Sequence, residues 1–423
     1  MSEVRQAYGS GTNQEVRGIA LRRDQSPMTS HIFRLAQGLQ DQLIAWRREI
    51  HRHPELSFQE HRTAELVATA LEAMGLEVAT GIGKTGVVGH VGAGNPAIGL
   101  RADMDALAIQ EANDVPYASQ KPGVMHACGH DAHTAMLLGA AAILTDLPKR
   151  PSGEIRLLFQ PSEESWDEEG KGGAKRMIED GAIDGLDGVI ALHVDSAQPS
   201  GTVGIREGFV WAGVDPYDVT VFGKSSHSAA PHHGVNPVVL LAGVINTIQA
   251  IPNLHTDPLR PAVLSCETVH AESSSGVIPE KASLHGNIRY YDPETRRALR
   301  RALERALETA RVLGGHYQLT VRGTYPPTYN DPELIALVRS CAAEIVGEES
   351  VREAERSLAG EDFGFMSSQI PGAYVKLGVQ REGEARPYHT PHFDIDESAL
   401  PVGSALLAAS ALRFLETLAD PEA

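Results

Sequence analysis

The sequence predicts an α/β protein carrying an inserted α+β domain of ferredoxin-like order, and three observations predict it. Short apolar runs, "GVVGHV", "AIGLRA", "IRLLFQ" and "GVIALHV", alternate with helical stretches around residues 133 to 147 and 171 to 181. That alternation argues for a sheet with much parallel pairing. From about Gly213 to Tyr325 the order changes to strand (215–223), helix (235–250), two strands (262–271, 281–291), helix (293–313) and strand (315–323), a β-α-β-β-α-β motif. Past "YPPTYND" the chain returns to strand and helix, including "AYVKLGV" and a closing helix from about Glu397. A length of 423 residues also exceeds what one core usually holds. The expected domains are a flexible N-terminus over 1–30, a first part of the main domain over 31–212, the insert over 213–325 and a second part over 326–423.

Taken in order, apolar positions at helical spacing run from Ile32 to His51, and Pro54 in "HRHPE" stops that helix because it disfavours helical geometry in the residue before it. "SFQE" then reads as a capping box, with Ser57 as N-cap and Glu60 three residues on, opening a helix that Gly75 ends. Each following strand ends in chemistry: Asp103 and Asp105 after "AIGLR", Glu163 and Glu164 after "IRLLFQPS", and His193 within "ALHV". Ligands of open α/β sheets bind outside the carboxyl ends of strands, so three strands deliver carboxylates and imidazole to one edge. The stretch "GIGKTG" matches a dinucleotide fingerprint by letter, but a strand follows it instead of a helix, and the phosphate cradle is not expected.

Composition narrows the function classes. An apolar share of 42% and a charged share of 22% are those of an ordinary globular chain. The net charge of −18 disfavours nucleic acid as a partner. In the basic run "RRALRRALER", Leu299, Leu303 and Leu307 recur every four residues, which predicts an amphipathic helix with a solvated basic face. Cys128, Cys266 and Cys341 show no framework spacing, and a reducing compartment is expected. No export signal is read before Met28 and no apolar run of membrane-spanning length is expected, so the reading is cytoplasmic, without a membrane partner.

The densest chemistry is "HACGHDAH", residues 126 to 133. Thiolate, imidazole and carboxylate together are the donors of a divalent transition metal. Cys128 and His130 can face one side of an extended loop before the "TAMLLGAAAIL" helix. The adjacent Glu163 and Glu164 leave an extended chain in opposite directions, so one can hold metal while the other faces substrate as a base.

With those residues in view, the sequence resembles the M20 metallopeptidase clan, in the amidohydrolase branch of hippurate hydrolases, auxin-conjugate hydrolases and N-acyl-amino-acid amidohydrolases. The resemblance spans about residues 32 to 415 and rests on "HRHPELSFQE", "GLRADMDALAI", "HACGHDAHTAMLLGAA", "LLFQPSEE", "GVIALHV", "SHSAAPHHGVNP", "GEDFGFM" and "YHTPHF" in the family's order. It implies a catalytic α/β domain with an inserted lid and dimerisation domain. Its implied metal ligands are Cys128, His130, Glu164, His193 and His389, holding two divalent ions per subunit, manganese or zinc. Glu163 resembles the catalytic base, and Asp105 an orienter of a ligand histidine. By the same resemblance His227 reaches the scissile carbonyl of a partner subunit, which implies a homodimer, and Asn287 and Arg289 hold a substrate carboxylate.

The implied reaction is hydrolysis of the amide bond of a small N-acyl amino acid by metal-activated water. Alternatives are a dipeptidase or an amino-acid-biosynthetic deacetylase of the clan, a cysteine amidase with Cys128 as nucleophile, and a binding relative without catalysis. Two departures stand out. "EESWDEEGKGGA" is a few residues longer than the family's usual segment and sets Trp166 beside the site, and Asn236 stands where an aspartate is common.

Overall fold

In this computed structural model the described residues are 27–148, 152–257, 259–322, 325–381 and 386–419. They divide into two compact units. One comprises Trp211–Pro327 with Arg356–Glu361, and the other holds the remaining described residues on both sides of it. Of the N-terminus expected to be flexible, residues 1–26 lie outside the described set, while 27–30 already belong to the first helix.

The larger unit is built on an eight-stranded sheet. Its order is Glu77–Ile82, Gly86–Ala93, Gly153–Gln160, Ala97–Asp103, Gly188–Pro199, Gly372–Gln380, Val203–Ile205 and Val351–Glu353. Pairing is antiparallel at the Glu77 edge and parallel through the centre, where Ala97–Asp103 lies between Gly153–Gln160 and Gly188–Pro199. All seven residues of Ala97–Asp103 are buried, as a central parallel strand covered on both faces requires. The core joins this sheet to the helices His130–Asp146 and Leu400–Ala419. Counted from Glu397, that closing helix is long and apolar enough to cross a membrane, although the sequence reading expected no such run. Most of it is buried within the unit, the situation of a core helix.

The smaller unit has a sheet ordered Val263–Leu264, Lys281–Tyr290, Gly213–Phe222 and His316–Val321, with Thr268–His270 also pairing Lys281–Tyr290. The helices Pro237–His255 and Pro293–Val312 pack with it into a separate core. This is the ferredoxin-like order expected from the sequence, with the 262–271 strand broken into two short pieces. Leu299, Leu303 and Leu307 are buried as their spacing predicts, and Arg296 pairs with the buried Asp215 at 2.8 Å. Asn236 caps the Pro237–His255 helix by accepting from the Val238 amide at 3.0 Å, a task asparagine performs as well as the family's aspartate.

Two local expectations are corrected. The Ile32–His51 stretch forms two helices, Pro27–Gly38 and Gln40–Arg52, broken at Leu39. The capping box is not formed either: the next helix is His61–Ala73, with Glu60 at its N-cap position making no side-chain cap bond. Glu55 does the capping instead, accepting from the amides of Arg62 (3.1 Å) and Thr63 (2.9 Å). Phe58, with φ of 59°, turns the chain so that Ser57 and Glu60 point elsewhere.

Candidate metal centre

Parallel pairing brings the carboxyl ends of three central strands to one edge of the larger unit. Asp103 closes one strand, Asp105 follows it, and Glu163 and Glu164 lie just beyond Gly153–Gln160. His193 sits within Gly188–Pro199. Cys128 precedes the helix His130–Asp146, which starts four residues before the "TAMLLGAAAIL" run. Gly129 makes the junction between them. It has φ of 94°, and a Cβ there would meet Val194 Cγ2 at 2.4 Å, so only glycine fits.

The donor atoms gather into overlapping triads, each with its atoms within 4.8 Å of one another: Cys128 with His130 and His193, Cys128 with Glu164 and His389, and His130 with Glu163 and Glu164. Cys128 is common to the first two, and Sγ lies 3.4 Å from His193 Nε2. His389 Nε2 is 3.2 Å from Glu164 Oε1. His389 adopts φ of 56° and is pinned by its amide, which donates to Ala127 O at 2.8 Å.

The candidate imidazoles are oriented from behind. His130 Nδ1 bonds Asp105 through its carbonyl at 3.0 Å and Oδ1 at 3.2 Å, while His130 Nε2 is buried with no hydrogen-bond partner. A buried imidazole nitrogen without a partner, facing thiol and carboxylate, fits a cation. The electrostatics agree. Burial opposes a charged His130, yet Asp103, Asp105 and Glu164 hold its pKa up at about 10, so the cavity favours positive charge. Burial pushes the Cys128 thiol well above its usual range, and Glu164, Glu163 and Asp103 add to that push. Burial holds His193 well below its ordinary value, leaving a neutral imidazole suited to ligation. The donor set therefore fits two divalent ions, and Cys128 belongs to two of the triads that could hold them.

A profile of peptidase family M20/M25/M40 matches residues 99–413. The chain belongs to this family. The thermostable carboxypeptidase 2 of Saccharolobus solfataricus is 39% identical to it over 383 residues, covering 89% of this chain and 96% of that protein. The N-acetyl-L-cysteine deacetylase of Bacillus subtilis is 37% identical over 385 residues, covering 90% and 89%. Among solved structures, the YxeP protein of Bacillus subtilis, described as a dinuclear metal-binding peptidase of the M20 family, superposes with a TM-score of 0.79 at 33% identity, covering 90% of this chain and 99% of that one. The protein is an M20 hydrolase of the metal-dependent amidohydrolase kind.

In this M20 chain the donor atoms of a further triad, Asp103, His130 and His133, also lie within 4.8 Å of one another. His133 is already engaged, however. Its Nε2 accepts the Val194 amide at 2.9 Å, so its proton sits on Nδ1, which donates to Asp103 at 2.5 Å. Arg101, fully buried, holds Asp103 from the other side at 2.7 Å and reaches Gln160 (2.9 Å) and Asp362 (3.0 Å). Sequence reasoning gave no role to His133, Arg101 and Asp362, and read Glu60 only as part of a capping box. Only their place within the matched motifs hinted at them.

His227, Asn287 and Arg289 belong to the smaller unit. His227 is exposed in a short strand paired with Val277, and its Nδ1 accepts the Ala229 amide at 3.0 Å. Asn287 donates to Glu267 at 2.7 Å, and Arg289 to the Leu358 carbonyl at 2.7 Å. In the 165–169 segment Trp166 is partly exposed, and Asp167 anchors the turn by accepting from Lys84 (2.7 Å) and Arg176 (2.8 Å).

Proposed function

We propose that the protein releases a free amino acid from an N-acyl amino acid, with a hippurate-like, N-acetyl or auxin-type acyl group. Cys128, His130, Glu164, His193 and His389 are the ligands in this reading and Glu163 is the base. The observation that carries it is Cys128 standing in two ligand triads, with Glu163 beside Glu164 in a third. Two relatives support the substrate class by their names: a carboxypeptidase and an N-acetyl-L-cysteine deacetylase both cut an amide whose nitrogen belongs to an amino acid with a free carboxylate.

The bound ions, manganese or zinc, would supply Lewis-acid polarisation of the amide carbonyl and a water of lowered pKa. Glu163 accepts the proton of the attacking water and returns it to the leaving nitrogen. Asp105 holds His130 in the tautomer that leaves Nε2 for ligation. Asn287 and Arg289 bind the substrate carboxylate, after exchanging their present bonds to Glu267 and the Leu358 carbonyl. His227 serves the site of a partner subunit in a homodimer. The three cysteines are unpaired, which agrees with a reducing, cytoplasmic setting.

The carboxypeptidase relative favours a second reading, hydrolysis of dipeptides or peptide C-termini. One panel separates them: N-benzoyl, N-acetyl, N-indoleacetyl and long-chain N-acyl amino acids with dipeptides, on protein reconstituted with manganese or zinc. Metal-dependent release from one acyl class is the expected result. Release from dipeptides alone establishes the second reading, and silence across the panel with metal bound removes both.

A further inference from the structure

We propose that Glu60 is a positioning residue for the Glu163–Glu164 turn, acting through the amide of Ser162. The inference rests on the reading of Glu163 as base and Glu164 as ligand. Glu60 is completely buried, and its carboxylate meets three donors: Oε1 accepts the amides of Ser162 (2.8 Å) and Phe58 (3.0 Å), and Oε2 accepts the Thr85 hydroxyl (2.5 Å). Ser162 needs such a hold. It has φ of 45°, a conformation a side chain rarely adopts unless its surroundings impose it. Its carbonyl accepts the Gly173 amide at 2.8 Å and its hydroxyl donates to the Ser165 carbonyl at 2.9 Å. The chain therefore leaves Ser162 in one direction, and Glu163 is the next residue.

The far end of the same turn is held from the same tetrapeptide. The Glu164 amide donates to Asp105 Oδ2 at 3.0 Å, and that oxygen also accepts the Ser57 hydroxyl at 2.6 Å. Ser57 and Glu60 thus grip the two sides of the Glu163 position, one through Asp105 and one directly. They are free to do so because Glu55 has taken over the capping of the next helix. The turn "GIGKTG", which binds no phosphate by pattern, is absorbed into the same bracket. Thr85 bonds Glu60, Lys84 lies over the Phe58 ring at 4.4 Å and bonds Asp167 at 2.7 Å, and Gly83 donates to Asp180 at 2.7 Å. A Cβ on Gly83, where φ is 64°, would strike Met177 Cγ at 2.8 Å, so the turn packs closely against the segment that follows the two glutamates.

A role in position, unlike a role in charge, is transferable to an amide. In Glu60→Gln the carbonyl oxygen still accepts both backbone amides, and the new NH2 donates to Thr85, whose hydroxyl can accept as well as donate. Glu60→Ala removes the bracket, and Glu60→Asp withdraws it by one methylene while keeping the charge.

Full-length protein loaded with manganese is compared by hydrogen exchange of the peptide spanning 160–165, bound metal per subunit, and kcat and KM. In Glu60→Ala and Glu60→Asp we expect faster exchange confined to that peptide, metal retained, KM nearly unchanged and kcat down on the order of 10–100-fold, the scale of an ångström-level misplacement. Glu60→Gln should restore exchange and most of kcat. Unchanged exchange at 160–165 in Glu60→Ala or Glu60→Asp overturns the proposal, as does Glu60→Gln failing as badly as Glu60→Ala. Loosening across the whole chain in both Glu60→Ala and Glu60→Asp makes Glu60 a general structural residue and also overturns it. If the unaltered protein acts on no N-acyl amino acid or dipeptide, the functional reading falls, while local exchange still decides the bracket.

Discussion

Cys128 Sγ lies 3.4 Å from His193 Nε2, and the same sulfur lies within 4.8 Å of donor atoms of Glu164 and His389. In the proposed centre this one thiol belongs to two triads. Cys128→Ser should weaken metal binding by more than the 10–100-fold typical of changes outside the ligand shell. Metal content after dialysis measures it. Two ions retained at normal affinity would remove Cys128 from the ligand set.

Glu163 and Glu164 are adjacent but differ in the work assigned to them. Glu163→Gln should lower kcat by about 10²–10⁴-fold, the usual range for a general base, with both ions still bound. Loss of metal in that variant would make Glu163 a ligand.

Asp105 joins His130 Nδ1, the Glu164 amide and the Ser57 hydroxyl. Asp105→Ala should therefore reduce metal affinity about 10–100-fold and kcat with it. Added metal should recover part of the activity, a recovery that Glu163→Gln should not show.

His227 is predicted to act in a partner's site. His227→Ala should keep its metal and lose turnover, and mixing it with Glu163→Gln should restore activity, because one site of the mixed dimer then has an intact Glu163 and a donated His227. A confirmed mixed dimer without activity would end that assignment.

Arg47 is wholly buried between Asp131 (2.7 Å), Asp394 (3.2 Å) and Glu397 (3.2 Å). Removing the shared cation takes away the one buried charge common to all three carboxylates and leaves Asp131 to His51, Asp394 to Arg381 and Glu397 to Arg48, so Arg47→Met should cost up to about 3–5 kcal/mol at neutral pH. Burial raises the pKa of Asp394, but Arg47, the Ile395 amide, Arg381 and the Tyr117 hydroxyl outweigh it and hold the carboxyl below its ordinary value. A depressed folded-state pKa gives stability that is present above the unfolded value of about 3.9 and lost as pH falls through the folded one. Without Arg47 the carboxylates protonate at higher pH, and the deficit against the unaltered protein should narrow from pH 7 towards pH 4. Urea midpoints at both pH values measure it, and a constant deficit would show that Arg47 contributes through packing alone.

Much of the candidate centre was legible because the donors a metal would need are unusual letters. Cys128, His130, Glu164 and His193 are donor types placed at strand ends and before a helix, and apolar runs marked those strands without knowledge of their partners. The ferredoxin-like order was legible for the same reason, since Leu299, Leu303 and Leu307 carry their burial in their spacing. His389, more than two hundred residues beyond Glu164, was reached only through family resemblance, because nothing local distinguishes it from an exposed histidine in a loop.

What the sequence by itself determined was the fold class, the family and the donor types that gather at the candidate metal centre. Tertiary structure decided how the remaining polar groups are used. Ser57 and Glu60 carry a helix-capping pattern, yet Glu55 caps the helix, and the pair turns to Asp105 and Ser162. His133 has the letters of a ligand, but the Val194 amide fixes its tautomer and takes it out of the set. The physical reason is common to all of them. A buried hydrogen-bonding group must find a partner, and it takes the one that folding brings within about 3 Å, however far away that partner lies in the chain.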